Sequence, residues 1–196
     1  MRNAAGFSLL ELVIALVIVG MACLIVVPSL FSASAALQVD LAARELIGAL
    51  REARGLALRH SANVAIRFYP QPGRVGFAHF RDGDGDGVRN ADIRRGVDPQ
   101  ITPLRYFRHI GGRVGFGFPP GRMPRDPGDP SRRLARREDP IRFNDSELAS
   151  FGPMGTATAG SLYLTDGRRH LVAVRLSGLV GRVRLLRWDP GADAWR

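Results

Sequence analysis

At 196 residues and a formal net charge of +10, the chain has room for one modest folded domain beside any terminal segment. All 28 of its basic side chains are arginine, and that excess favours acidic partners, anionic lipid or nucleic acid. The one cysteine, Cys23, excludes an intramolecular disulfide framework.

The amino terminus carries the most information. After Arg2, an apolar run opens at Gly6-Phe7-Ser8-Leu9-Leu10-Glu11 and continues to Phe31 with Glu11 as its single charge. That exceeds the roughly 20 apolar residues a helix needs to cross a bilayer. A secretory signal has a shorter apolar core, about 7–15 residues, with its small-residue cleavage site after it. Here the small residue, Gly6, stands before the run. An unpaired carboxylate at the membrane centre costs about 2.5–3.5 kcal/mol, so Glu11 calls for a partner. Arg2 keeps the short leader cytoplasmic and sends the body across.

Gly6, Phe7 and Glu11 in this order resemble the prepilin signature of type IV pilins and type II secretion pseudopilins. The resemblance implies a leader, residues 1–6, that prepilin peptidase removes after Gly6, with methylation of the new amino terminus on Phe7. It also implies a transmembrane helix over 7–31, with Gly20 and Pro28 where pilin helices carry a glycine and a proline. In a filament, the amine of Phe7 would pair with Glu11 of a neighbour, and a paired charge is tolerated in an apolar core where a lone one is not. The competing reading is a retained anchor whose Glu11 reaches the lipid headgroups.

Pro28 lacks a backbone donor and predicts a bend. Beyond it Val39, Ala43, Leu46, Leu50, Ala53 and Ala57 recur at steps of four and three, which predicts an amphipathic helix over 32–60. Asp40 and Arg44 are spaced to pair on it. Carried from Phe7 to His60, the helix would be about 80 Å long.

Ser61-Ala62-Asn63 ends the helix. Val64–Tyr69 and Val75–Phe80 read as a hairpin around Pro70-Gln71-Pro72-Gly73-Arg74. Further strands are predicted at Arg113–Phe118, Ile141–Phe143, Ser161–Leu164, His170–Leu176 and Val183–Trp188, with a turn at Asp166-Gly167. Residues 119–140, dense in proline, glycine and arginine, read as an exposed loop or a disordered insertion. A helix followed by many short strands gives an α+β class, the helix covering one face of antiparallel sheet.

Ala42–Leu46, Glu52–Arg54, Val64–Ile66, the acidic glycine-rich turn, Ile141–Phe143 and Gly181-Arg182-Val183-Arg184 together resemble the GspH/FimT group of minor pseudopilins. The resemblance implies a pilin-like fold, residues 61–196 as a periplasmic β-rich domain with 119–140 added, and a single-pass inner-membrane protein. It also implies other pilins or pseudopilins as partners and a place in or at the tip of a type II secretion pseudopilus. FimT-type minor pilins carry a Gly-Arg-x-Arg motif and take part in DNA uptake. By that likeness Arg182, Arg184 and Arg187, in a basic cluster with Arg168, Arg169, Arg175 and Trp188, are candidate DNA contacts. The other reading is a β-strand with one solvated face.

Asp82-Gly83-Asp84-Gly85-Asp86-Gly87-Val88-Arg89-Asn90 matches the first nine positions of a calcium loop. Asp82, Asp84 and Asp86 stand at 1, 3 and 5, the Val88 carbonyl at 7 and Asn90 at 9. Position 12 is Ile93; Asp92 lies one residue early, and Asp98 reaches only from an irregular loop. The competing reading is an acidic turn neutralised by Arg81, Arg89, Arg94 and Arg95. The four histidines are scattered, and no nucleophile elbow or phosphate loop occurs, so the expectation is a protein that assembles rather than catalyses.

Overall fold

The computed structural model describes residues 8–143 and 146–196. The chain divides into two compact units, Met1–Leu37 and Gln38–Arg196. Helix α1, Leu9–His60, contributes to both.

Within the first unit, Ser8 caps the helix by accepting a hydrogen bond from the Leu10 amide at 3.3 Å, and Glu11 lies in the first turn, where the helix dipole favours an anion. The described apolar side chains are exposed around the helix, Leu9, Leu10, Leu16 and Leu24 among them. Among the described residues, no helix is long and apolar enough to cross a membrane. Residues 1–7, and the side chains of Ile25 and 27–30, lie outside the described set. The expectations for Gly6, Phe7 and a bend at Pro28 therefore fall outside it, as does part of the predicted span 7–31.

In the second unit the predicted stripe is fully used. Val39, Ala43, Leu46, Leu50, Ala53 and Ala57 are all buried, joined by Ala42 and Leu56. Small alanines let the helix lie close on two antiparallel sheets. The first, in order β3-β2-β1-β6, comprises Arg105–Tyr106, Arg74–Arg81, Val64–Gln71 and Ala149–Phe151. The second, β10-β9-β8-β7-β4, comprises Ala194–Trp195, Arg182–Asp189, Leu171–Ser177, Gly160–Thr165 and Gly115–Phe116, with β5, Ile141–Arg142, also paired to β7. Alternate residues of β1, β2, β7 and β8 (Val64, Ile66, Phe77, Leu162, Val174) meet the helix in one core. This is an α+β arrangement consistent with the pilin-like fold.

The β1–β2 turn is tighter than predicted. Gln71 pairs with Arg74, leaving Pro72 and Gly73 between them. Proline presets the first turn position, and Gly73, at φ 75°, occupies the second. Asp40 does not pair with Arg44, which lies on its own helix; it turns instead to Arg187 of β9. The acidic turn proves to be a loop running into a short helix, α2, Asn90–Arg95.

Residues 119–140 differ most from expectation. They carry little regular structure, yet they close over the face of the second sheet opposite α1. Leu134 is buried against Phe118, Tyr163, Leu171 and Ala173, with Met123, Trp188 and Trp195 packed around them. Arg125 and Arg133 form an isolated bridge, and the Trp195 indole donates to the Arg125 carbonyl at 2.6 Å. The segment is neither disordered nor free of core. Covered on both faces, β8 reads Leu171-Val172-Ala173-Val174, a continuous apolar run rather than an alternating one.

Candidate functional site

Three features carry chemistry: the amino-terminal segment, the acidic loop and the arginine cluster on β9.

The acidic loop leaves β2 at Arg81. Asp82 is buried and organises it: Oδ1 accepts from the Gly85 amide at 2.7 Å, and Oδ2 accepts from the Gly87 amide at 2.9 Å and from Asn63 Nδ2 at 2.8 Å. Burial pushes the Asp82 carboxyl up, but the bonds from Asn63, Gly85 and Gly87 outweigh it and hold the group below its ordinary value. Asp98, also buried, closes the loop from the other end by accepting from the amides of Gly83 and Arg89 at 3.1 and 2.9 Å. Gly83 packs so tightly on the Val97 carbonyl that a Cβ there would lie 1.9 Å from its oxygen. No side chain fits.

Oxygens of Asp82, Asp84 and Asp86 lie within 4.8 Å of one another. The Asp86 carboxyl is held above its ordinary value, first by desolvation and also by Asp84, against the pull of Arg89. Three convergent carboxylates are the donor set of a hard cation such as calcium. The other expected ligands are not gathered with them. The Val88 side chain sits in a small core with Ala65, Ala78 and Phe80, and Asn90 opens α2. The Asp92 carboxylate bonds Arg95. Asp86 itself pairs with Arg89.

The basic cluster is divided by the pleat of β9. Arg182 and Arg184 share a face with Leu186 and Trp188, whereas Arg187 is on the opposite face with Val183 and Leu185. Arg187 donates to Asp40 from both Nε and Nη2, so it does not stand with the other two. Arg182 and Arg184 instead line a cavity of about 500 Å³ with Arg125, Arg175 and Trp195. Arg168, Arg169 and Trp188 line a different hollow. The contribution of Arg125 was not legible in the sequence: it comes from the 119–140 segment, and only folding brings it near β9.

At the amino terminus Glu11 is exposed within the apolar first unit, one helical turn beyond Ser8. Residues 1–27 match the family model described as the prokaryotic N-terminal methylation motif. This supports a type IV pilin-like or pseudopilin-type protein. The motif implies processing by prepilin peptidase and pilin-type partners, and it suggests a protein that is membrane-anchored and then assembled. Proteins of this motif are structural rather than enzymatic. No curated protein and no solved structure matches the chain.

Proposed function

We propose that the chain is a minor pseudopilin of the GspH/FimT kind, serving a type II secretion pseudopilus. Prepilin peptidase cuts after Gly6, Phe7 is methylated, and residues 7–31 hold the subunit in the inner membrane with residues 61–196 in the periplasm. Assembly into or at the tip of the filament then supports protein export. The observation that carries the reading is the methylation-motif match over residues 1–27 with Glu11 inside it. The physical reason is charge pairing. Cleavage creates an amine on Phe7, and stacking brings that amine to the carboxylate of a neighbour in a medium where neither charge is stable alone.

The deciding experiment is mass spectrometry of the mature amino terminus with prepilin peptidase present and absent. A chain beginning at methylated Phe7 only with the peptidase supports the reading, and an intact Met1 under both conditions overturns it. Glu11→Ala is then expected to leave insertion intact and abolish crosslinking into filaments.

The alternative, a FimT-like minor pilin of a type IV pilus that binds DNA, draws on Arg182, Arg184 and Arg187 acting together. Because Arg187 lies on the opposite face and is engaged by Asp40, the geometry favours contact with protein.

A further inference from the structure

Strand β9 is covered along its outer edge for only part of its length. Its inner edge pairs with β8 from Arg182 to Arg187. On the outer edge β10 reaches Trp188 and Asp189, and Arg196 exchanges both backbone hydrogen bonds with Arg187, at 2.7 and 2.9 Å. Backbone groups along an antiparallel strand alternate in direction. The outward bonds of Arg187 therefore set the rest: Leu185 and Val183 also direct their N–H and C=O outward. Among the described residues these groups have no partner. The edge is open where β10 stops.

Both faces of that edge are lined with arginine. On the side away from α1 lies the cavity formed by Arg125, Arg175, Arg182 and Arg184, with Trp195 as an apolar wall. On the side of α1 a hollow of about 320 Å³ is lined by Leu50, Arg51, Arg54 and Val183. Among the described residues, Arg51, Arg54, Arg182 and Arg184 enter no ion pair. Unpaired backbone groups along an edge are a template for a further strand, and flanking hollows two residues apart receive its alternate side chains.

We propose that the open edge of β9 at Val183–Leu185 takes an extended acidic segment of a partner protein as an added strand. Main-chain hydrogen bonds to Val183 and Leu185 hold it, and carboxylates enter the arginine-lined hollows on either face. Opposite charges directly across a strand pair add to the ladder, and like charges subtract. A second copy of this chain, at net charge +10, is a poor occupant; an acidic partner is complementary. The proposal deepens the assembly reading, because it names the surface a partner subunit would offer. Its test does not depend on that reading, since it uses the unprocessed chain.

The full chain, purified in detergent micelles, is titrated against a fluorescent peptide alternating glutamate and valine, with anisotropy as readout. Saturable binding is expected. Backbone N-methylation of the peptide at alternate positions should weaken it by about tenfold or more, and Arg184→Glu by a similar factor. Val183→Pro removes one outward N–H without touching the β8 ladder and should weaken binding likewise, with the melting temperature recorded alongside. The N-methylated peptide keeps the comparison valid should that variant lose stability. Equal binding of the methylated and plain peptides overturns the added strand, and so does absence of binding. A single-stranded oligonucleotide that displaces the peptide and binds Val183→Pro unchanged would assign the arginines to nucleic acid instead.

Discussion

Arg187 on β9 grips Asp40 on α1 with two parallel hydrogen bonds, Nε to Oδ1 at 3.0 Å and Nη2 to Oδ2 at 2.6 Å, across 147 residues of sequence. The fork of the guanidinium matches the carboxylate, which makes the pair directional as well as attractive. The Asp40 bond also raises the Arg187 guanidinium above its ordinary value. The pair ties the carboxyl-terminal sheet to the helix.

The Arg187 side chain remains 54% exposed and that of Asp40 24%, so solvent screens much of the attraction. A double-mutant cycle with Arg187→Ala and Asp40→Ala, read by denaturant melts, is expected to give a coupling of about 0.2–1 kcal/mol that shrinks with added salt. Fully additive single losses would show the pair to be decorative.

Leu134 tests whether the proline-rich segment belongs to the core. At 5% exposure, packed on Tyr163 and Leu171, its truncation leaves a cavity. Leu134→Ala is expected to cost about 2–5 kcal/mol in urea melts, whereas a side chain on a disordered insertion would cost nothing measurable. Arg136→Ala, on the exposed part of the same segment, serves as the neutral control.

His79 should make stability depend on pH. Its ring is fully buried between β2 and α1. The Ala49 carbonyl can only accept, which makes Nε2 the donor at 3.4 Å and Nδ1 the acceptor from the Thr102 hydroxyl at 3.0 Å. Burial lowers the imidazole below 6.5, opposed in part by the Ala49 carbonyl and Glu52 and assisted by Arg105. Below that ordinary value the unfolded chain takes up a proton that the folded chain resists. Stability therefore rises with pH through this window and falls as pH drops below about 6.5. Melting temperatures from about pH 5 to 8 should show the slope, and His79→Gln should flatten it.

Asp82 should matter with or without a cation. Its carboxylate bonds to Gly85, Gly87 and Asn63 are made by the protein itself. Asp82→Ala is expected to lower stability by about 1–3 kcal/mol in chelator and in calcium alike. The folded carboxyl is depressed, so its contribution is present at neutral pH and fades as pH falls through that lowered value. A loss confined to calcium-containing buffer would mean that an ion, and not these hydrogen bonds, holds the loop.

Several strands were legible because their residues are β-formers at strand length: β1, β2, β7, β8 and β9 fall where alternation and turn residues put them. Strands β3, β6 and β10 were not, at two or three residues each, because so short a segment has no period and is a strand only when a neighbour pairs with it. At the acidic loop the spacing of Asp82, Asp84 and Asp86 did foretell their convergence. It did not reveal that Asp98 caps the same loop by bonding the amides of Gly83 and Arg89.

The sequence by itself determined the amino-terminal motif, the helix from Leu9 to His60 and the buried stripe from Val39 to Ala57. These are local properties, written in residue type and in a period of three and four. Tertiary structure alone decided that residues 119–140 fold over the second sheet. Composition counts prolines and arginines but cannot weigh one well-placed Leu134. It also decided how the arginines divide: Arg182 and Arg184 beside an open sheet edge, Arg187 turned to Asp40. Alternation along a strand says that neighbours face apart, but which face meets the helix is fixed only when the sheet packs.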